Sequence, residues 1–223
     1  MKKLFPHIFV FFAFITLIFL GTWQVFRREE KEALIAKIER NINTKIINLA
    51  DYKNIDSDEF KKMSVTGSYL YDKEFSLLNK PFNGKPGQYV ITPLKEKSGQ
   101  IILVNRGWAP TDKDYEKPPG KVTITAIIRA GQKLNAMGKL IILNNIPEKQ
   151  MWFWLDLPRI YQTLGLPQKD YYLDLINETK STSYPFALPA KIVIYNEHLI
   201  YIITWYSLAL VLALVYYFRF WKK

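Results

Sequence analysis

The sequence contains no cysteine. Disulfide bonds, thiolate nucleophiles and thiolate metal ligands are thereby excluded, although an oxidising compartment is not. Histidine is almost as scarce. His7 and His198 are the only two, too few for a zinc or copper cage built from imidazoles. No G-x-S-x-G, P-loop or G-x-G-x-x-G pattern occurs. The aspartates Asp51, Asp56, Asp58, Asp112, Asp114, Asp156, Asp170 and Asp174 are scattered, mostly in turn-like sequence where solvation or capping is the ordinary role. Nothing pairs a nucleophile with a base, so the expectation is a protein that is not an enzyme.

Charge is absent from two long runs. Ile8 to Phe26 is 19 residues and Leu199 to Phe218 is 20, neither with a charged side chain. At about 1.5 Å per residue, each covers the roughly 30 Å hydrocarbon core of a bilayer. Aromatic residues mark their ends: Trp23 and Phe26 in the first; Tyr201, Trp205, Tyr216, Tyr217 and Trp221 around the second. Lys2 and Lys3 before the first run would suit a signal peptide. Gly21-Thr22-Trp23 is too bulky for a small-x-small cleavage site, so a retained anchor is expected.

Arg219, Lys222 and Lys223 follow the second run, while its other flank has Lys191 and Glu197. The positive-inside rule then puts the C-terminus in the cytoplasm. The first run has lysines before it and Arg27, Arg28 and Lys31 after it, so the second run decides. The expected organisation is a cytoplasmic stretch 1–7, a transmembrane helix 8–26, an extracytoplasmic domain 27–197, a second transmembrane helix 198–218 and a cytoplasmic tail 219–223. No segment like a transit peptide precedes the first run, which favours a bacterial inner membrane over a mitochondrial one. The net charge of +11 includes five basic residues in the tails; the remainder holds 26 basic and 20 acidic residues, a net +6. That is mild beside an anionic bilayer. With no basic stripe or aromatic platform, nucleic acid is excluded as a partner.

Between the runs, Arg27 to Arg40 continues the first helix, with Leu34, Ile35 and Ile38 on one face. Asp51 to Asp58 is a polar break. Strand-like segments follow at Met63 to Leu70, Glu74 to Leu78, Tyr89 to Pro93, Ile101 to Asn105, Val122 to Arg129, Leu140 to Leu143 and Tyr171 to Ile176. Asn83-Gly84-Lys85-Pro86-Gly87 and Lys117-Pro118-Pro119-Gly120 are turns. Asp156 is a helix N-cap, with Pro158 in the first turn and Gly165 as the stop. The fold class expected is α+β: a mainly antiparallel, barrel-like sheet flanked by two transmembrane helices.

His198 opens the second run. On a helix, His198, Tyr201 and Trp205 lie at i, i+3 and i+7, along one stripe. The two rings could wall a flat aromatic ligand, with the imidazole as axial ligand to its iron. An interfacial histidine bonded to water or headgroups is the other reading, and it applies to His7 as well. Arg106-Gly107-Trp108 reads as a turn ending a strand: Arg106 as an ion-pair or propionate partner, Gly107 for backbone freedom, Trp108 as a packing anchor. Trp152, Phe153 and Trp154 read as a surface cover facing the bilayer or a partner.

Taken together, several segments resemble the surfeit locus protein one family. They are Leu20-Gly21-Thr22-Trp23-Gln24 with Arg28, Lys31, Leu34 and Ile35; Val65-Thr66-Gly67-Ser68-Tyr69; Gly87-Gln88-Tyr89-Val90-Ile91-Thr92-Pro93-Leu94; Val104-Asn105-Arg106-Gly107-Trp108-Ala109-Pro110; Asn145-Ile146-Pro147-Glu148 with Trp152, Trp154 and Asp156; and Asn196-Glu197-His198-Leu199-Ile200-Tyr201 through Trp205-Tyr206. The segments run in family order over nearly the whole chain; Ala109 stands where the family usually has valine. The resemblance implies a role in assembling haem-copper terminal oxidases, chiefly cytochrome c oxidase. It implies binding of haem a at the position of His198 and delivery to the oxidase's large subunit, with the haem a synthesis proteins as further partners. It also makes Trp23, Arg27 and Arg28 neighbours of that site. A scaffold that holds oxidase intermediates without binding haem is the alternative.

Overall fold

The structure, a computed structural model, describes residues 4–111, 114–176, 184–187 and 194–220. Lys2, Lys3, Asp112, Lys191, Trp221, Lys222 and Lys223, which entered the charge and interface arguments above, lie outside these. The chain forms two units: Met1–Lys37 with Val193–Lys223, and Ile38–Ile192.

The first unit is built from α1 (Phe5–Ile42), up to Lys37, and α5 (His198–Phe220). Both helices are long and apolar enough to cross a membrane. Only 11% of the apolar window of α1 and 6% of that of α5 is buried. A core helix of a water-soluble protein would hide such a surface, so these helices have the character of lipid-facing spans. They pair antiparallel: His7 meets Tyr216, Thr22 meets Tyr206 and Gln24 meets His198. Gly21 makes the close approach possible, since a Cβ there would stand 2.9 Å from the Tyr206 ring.

The second unit is a small barrel. Its strands are β1 (Ile47–Asn48), β2 (Lys62–Tyr69), β3 (Phe75–Leu77), β4 (Gly87–Glu96), β5 (Ile101–Pro110), β6 (Lys121–Ala130) and β7 (Tyr171–Leu175). The sheet order is β1-β2-β6-β7-β5-β4-β3, and β2 also pairs with β4, which closes five strands into a ring. All ring pairings are antiparallel except β5 with β7. One edge of β2 follows β6 throughout. Its other edge is shared, with β1 opposite Met63 and Ser64 and β4 opposite Gly67 to Tyr69. Gly67 sits at that junction, where a Cβ would come within 2.5 Å of the Lys95 carbonyl oxygen.

Alternation sorts the side chains into two cores. Met63, Val65, Leu94, Ile102, Val104, Ile124, Ala126, Ile128, Tyr171 and Leu173 fill the first. Their odd-and-even partners Leu103 and Tyr172 point the other way, into the second. That second core is completed by Phe75, Leu77, Ile91 and Trp152 and by Leu157, Ile160 and Tyr161 of α4 (Leu157–Thr163). The Asp156 side chain caps α4 by accepting from the Arg159 N–H, and Gly165 follows at φ +62°.

Six of the seven anticipated strands form. Leu140 to Leu143 does not: Asn135 caps a short helix, α3 (Ala136–Ile141), accepting from the Gly138 N–H at 2.7 Å. The cap sets a helical start that the apolar run alone did not reveal. The Asp51 to Asp58 break holds a one-turn helix, α2 (Ile55–Asp58). Trp152 is not a surface cover; it is buried against Phe75, ring centres 5.8 Å apart.

Asp58, at the end of the polar break, and Asp174, within an anticipated strand, are both buried. Asp58 accepts from the Lys53 N–H and the Lys61 ammonium, 2.7 and 2.8 Å away. Burial opposes its ionisation, but these bonds outweigh burial and hold its carboxyl below the usual range. Asp174 accepts from Asn105 Nδ2 at 3.0 Å and pairs with Arg129 at 3.3 Å. Here burial wins over both partners and pushes the carboxyl up to about 6. Folded Asp174 therefore holds its proton more tightly than the unfolded chain does, at about 3.8. The cost of its charge is absent below about pH 4, grows from pH 4 to 6 and is constant above. At about 1.4 kcal/mol per pH unit that cost is on the order of 3 kcal/mol. Asp174→Asn should thus gain stability relative to wild type across that interval. Thermal melting of both full-length proteins in detergent, followed by near-ultraviolet circular dichroism at several pH values, measures the difference.

Candidate functional site

The N-terminal end of α5 carries the histidine stripe. His198 Nδ1 lies 2.6 Å from Gln24 Oε1 on α1. With the carboxamide oxygen as acceptor, Nδ1 carries a proton, so that in the neutral form of the ring the lone pair is on Nε2. A hydrogen bond of this kind is what fixes ring orientation and tautomer in metal-binding histidines. Gln24 was not singled out from the sequence. Its signal was there, as the one carboxamide in an uncharged run whose other hydroxyl or amide side chains are only Thr16 and Thr22.

Tyr201 is exposed, and Trp205 is partly buried one turn further on. The Trp205 indole N–H and the Asn196 side-chain oxygen are both buried without a hydrogen-bond partner. Asn196 is two residues before His198 and Trp205 two turns after it along α5, and buried polar atoms left without a partner call for an explanation. Among the described residues no three His, Asp or Glu side chains cluster to hold a bare metal ion.

Trp23, Arg27 and Arg28 lie on α1 beside and just beyond Gln24. Trp23 is exposed and makes no ring contact with His198, Tyr201 or Trp205 among the described residues. Arg27 and Arg28 are bound to their own helix: Arg27 pairs with Glu30 at 2.5 Å and Arg28 with Glu32 at 2.7 Å. These are solvent-facing pairs, worth at most about 1 kcal/mol, so a stronger anion could displace them. At the far end of the helix pair, His7 Nδ1 is 2.6 Å from the Tyr216 hydroxyl.

Arg106-Gly107-Trp108 is not a turn at the end of a strand. All three lie inside β5. Val90 pairs with Gly107 but Ile91 pairs with Asn105, so Arg106 is the extra residue of a β-bulge. The bulge turns its guanidinium into a buried polar nest. Arg106 donates to Glu74 Oε2 at 3.1 Å and to the Glu116 carbonyl. The Tyr69 and Tyr71 rings face it at 5.1 and 5.6 Å. Glu74 also accepts from Thr92 (2.6 Å) and Tyr115 (3.2 Å) and pairs with Lys117. Burial raises Tyr69 to about 12 although Arg106 pulls the other way. Arg106 is thus fully engaged within the barrel unit.

Gly107 has φ +119°, and a Cβ there would fall 1.7 Å from the Phe186 carbonyl oxygen. The backbone of Trp108 exchanges two hydrogen bonds with Phe186, at 2.8 and 2.7 Å. The Trp108 indole donates to the Lys80 carbonyl at 2.7 Å and packs among Phe82, Tyr184 and Phe186. The box holds the 184–187 segment against β5.

Gly107→Ala should therefore cost roughly 3 kcal/mol or more, combining a forbidden backbone conformation with a backbone clash. Gly84→Ala is the comparison. Gly84 also has positive φ but open space around its Cβ, so the cost there should be about 1 kcal/mol. Denaturant or thermal unfolding of the two variants decides, and similar losses would refute the clash.

Comparison with known proteins bears out the family resemblance. Residues 11–210 match the model of the SURF1 family. A SURF1-like protein of Monosiga brevicollis is 33% identical over 227 residues, spanning 90% of this chain and 82% of that protein. A SURF1-like protein of Rickettsia felis is 31% identical, spanning 94% of each. Surfeit locus protein 1 of Rattus norvegicus is 27% identical over 92% of this chain and 72% of its own length.

Proposed function

The chain belongs to the SURF1 family, and on that footing we propose that it is a membrane-bound assembly factor for haem-copper terminal oxidases, chiefly cytochrome c oxidase, that receives haem a as cargo at His198 and passes it to the oxidase's large subunit. The observation that carries this reading is the 2.6 Å contact between His198 and Gln24, which leaves Nε2 as a ready axial ligand. Tyr201 and Trp205, on the same stripe of α5, supply ring faces, and the unpartnered Trp205 indole N–H supplies a donor. The role is binding and hand-over rather than catalysis. The barrel domain is extracytoplasmic in this reading, and the membrane is a bacterial inner membrane. Haem a synthesis proteins would load the site.

A scaffold that holds oxidase intermediates without haem is the second reading. What favours it is the engagement of Arg27 and Arg28 with Glu30 and Glu32, since these are the cations that propionates would seek.

The test is the absorption spectrum of the detergent-purified protein co-expressed with haem a synthesis, for wild type, His198→Ala and Gln24→Leu. A haem band is expected in the wild type and none in His198→Ala. Gln24→Leu should keep the ligand but bind about tenfold or more weakly, because the imidazole loses its anchor. No band in any of the three folded proteins would leave the scaffold reading.

A further inference from the structure

The barrel unit carries one element that its cores do not use. Met137, Leu140 and Ile141 occupy positions i, i+3 and i+4 of α3 and so share one helix face. Such a face ordinarily packs inward, yet these side chains are 68%, 87% and 75% exposed. Leu143, just past the helix, is 56% exposed. None of them belongs to either core cluster. The exposed lysines Lys133, Lys139 and Lys149 accompany them in sequence, against the single acid Glu148 between residues 131 and 150.

We infer that α3 with Ile142 and Leu143 is a membrane-surface anchor, seated in the interface of an anionic bilayer. Three features favour lipid over a protein partner. The stripe has no aromatic residue and its segment carries lysine but no arginine, whereas protein interfaces favour aromatics and arginine and are depleted in lysine. Its side chains protrude rather than line a groove, so they can enter acyl chains while the lysines stay at the headgroups. The positive balance complements anionic lipid. At six residues the helix is about 9 Å long, far too short to span. A bilayer is at hand because the same chain has two helices apolar enough to cross one.

The absence of native cysteine makes the test direct. Full-length Ile141→Cys and, for comparison, Lys97→Cys in the exposed tip between β4 and β5 are labelled with an environment-sensitive fluorophore. Each is reconstituted into vesicles of phosphatidylcholine with or without phosphatidylglycerol. A lipid-borne nitroxide should quench the label at 141 several-fold more than the label at 97. The effect should grow with phosphatidylglycerol and fall in a Leu140→Asp background. Leu140→Cys serves as a second reporter should Ile141→Cys fold poorly. Equal quenching at 141 and 97 would overturn the inference. So would a label at 141 that is shielded from aqueous iodide but untouched by the nitroxide, which would mean that protein covers the stripe instead.

Discussion

A buried guanidinium constrains the barrel more than any other group. Arg106 cannot lose its charge, so its position in the interior requires a full set of partners. The bulge in β5 provides the direction, taking Arg106 out of the in-and-out alternation of its strand. Glu74 provides the counter-charge and is itself held by Thr92, Tyr115 and Lys117. The Glu116 carbonyl and two tyrosine rings occupy the remaining faces. These partners come from the end of β2, from β4, from the segment before β3 and from the loop before β6, so one ion ties together regions far apart in sequence. A well-packed apolar replacement would be no less stable in principle. What the ion adds is register, because a slip of one residue would strand both charges.

The same stretch of β5 governs its neighbours on either side. Asn105 donates to Asp174 of β7 and accepts from the Gly107 N–H, so the parallel pair and the bulge share one side chain. Gly107 and Trp108 then hold the 184–187 segment by backbone bonds that admit no Cβ. Five consecutive residues, Val104 to Trp108, thus contribute to the first core, the parallel strand pair, the ion nest and the docking of a distant segment.

The helix pair follows different rules. In an apolar medium, packing and interhelical hydrogen bonds replace the hydrophobic effect as the source of association, each bond being worth on the order of 1 kcal/mol. Three such contacts are spread along α1 and α5, with Gly21 permitting close approach at Tyr206. The contacts at His7 and His198 both run through Nδ1, but only the His198 end also carries buried polar atoms without a partner, on Asn196 and Trp205. This is why the function proposed for the chain centres on that end of the pair.

The sequence by itself determined the two spans, the class of the domain and six of its strands, because hydrophobic run length and period-two alternation are local properties. It also determined the α4 cap and singled out His198, a rare ionisable group at the edge of an apolar run. Ring closure, the two cores and the partner of each charge were decided only by tertiary structure. Nothing near Arg106 in sequence points to Glu74, and the bulge is invisible because β5 reads as unbroken strand up to the arginine. The burial of Asp58 and Asp174 was not legible either, since burial depends on neighbours remote in the chain. The Leu140 to Leu143 run was misassigned because a six-residue helix set by one asparagine cap is too short to display its period. Gln24 acquired a role only when folding brought it to a histidine 174 residues away.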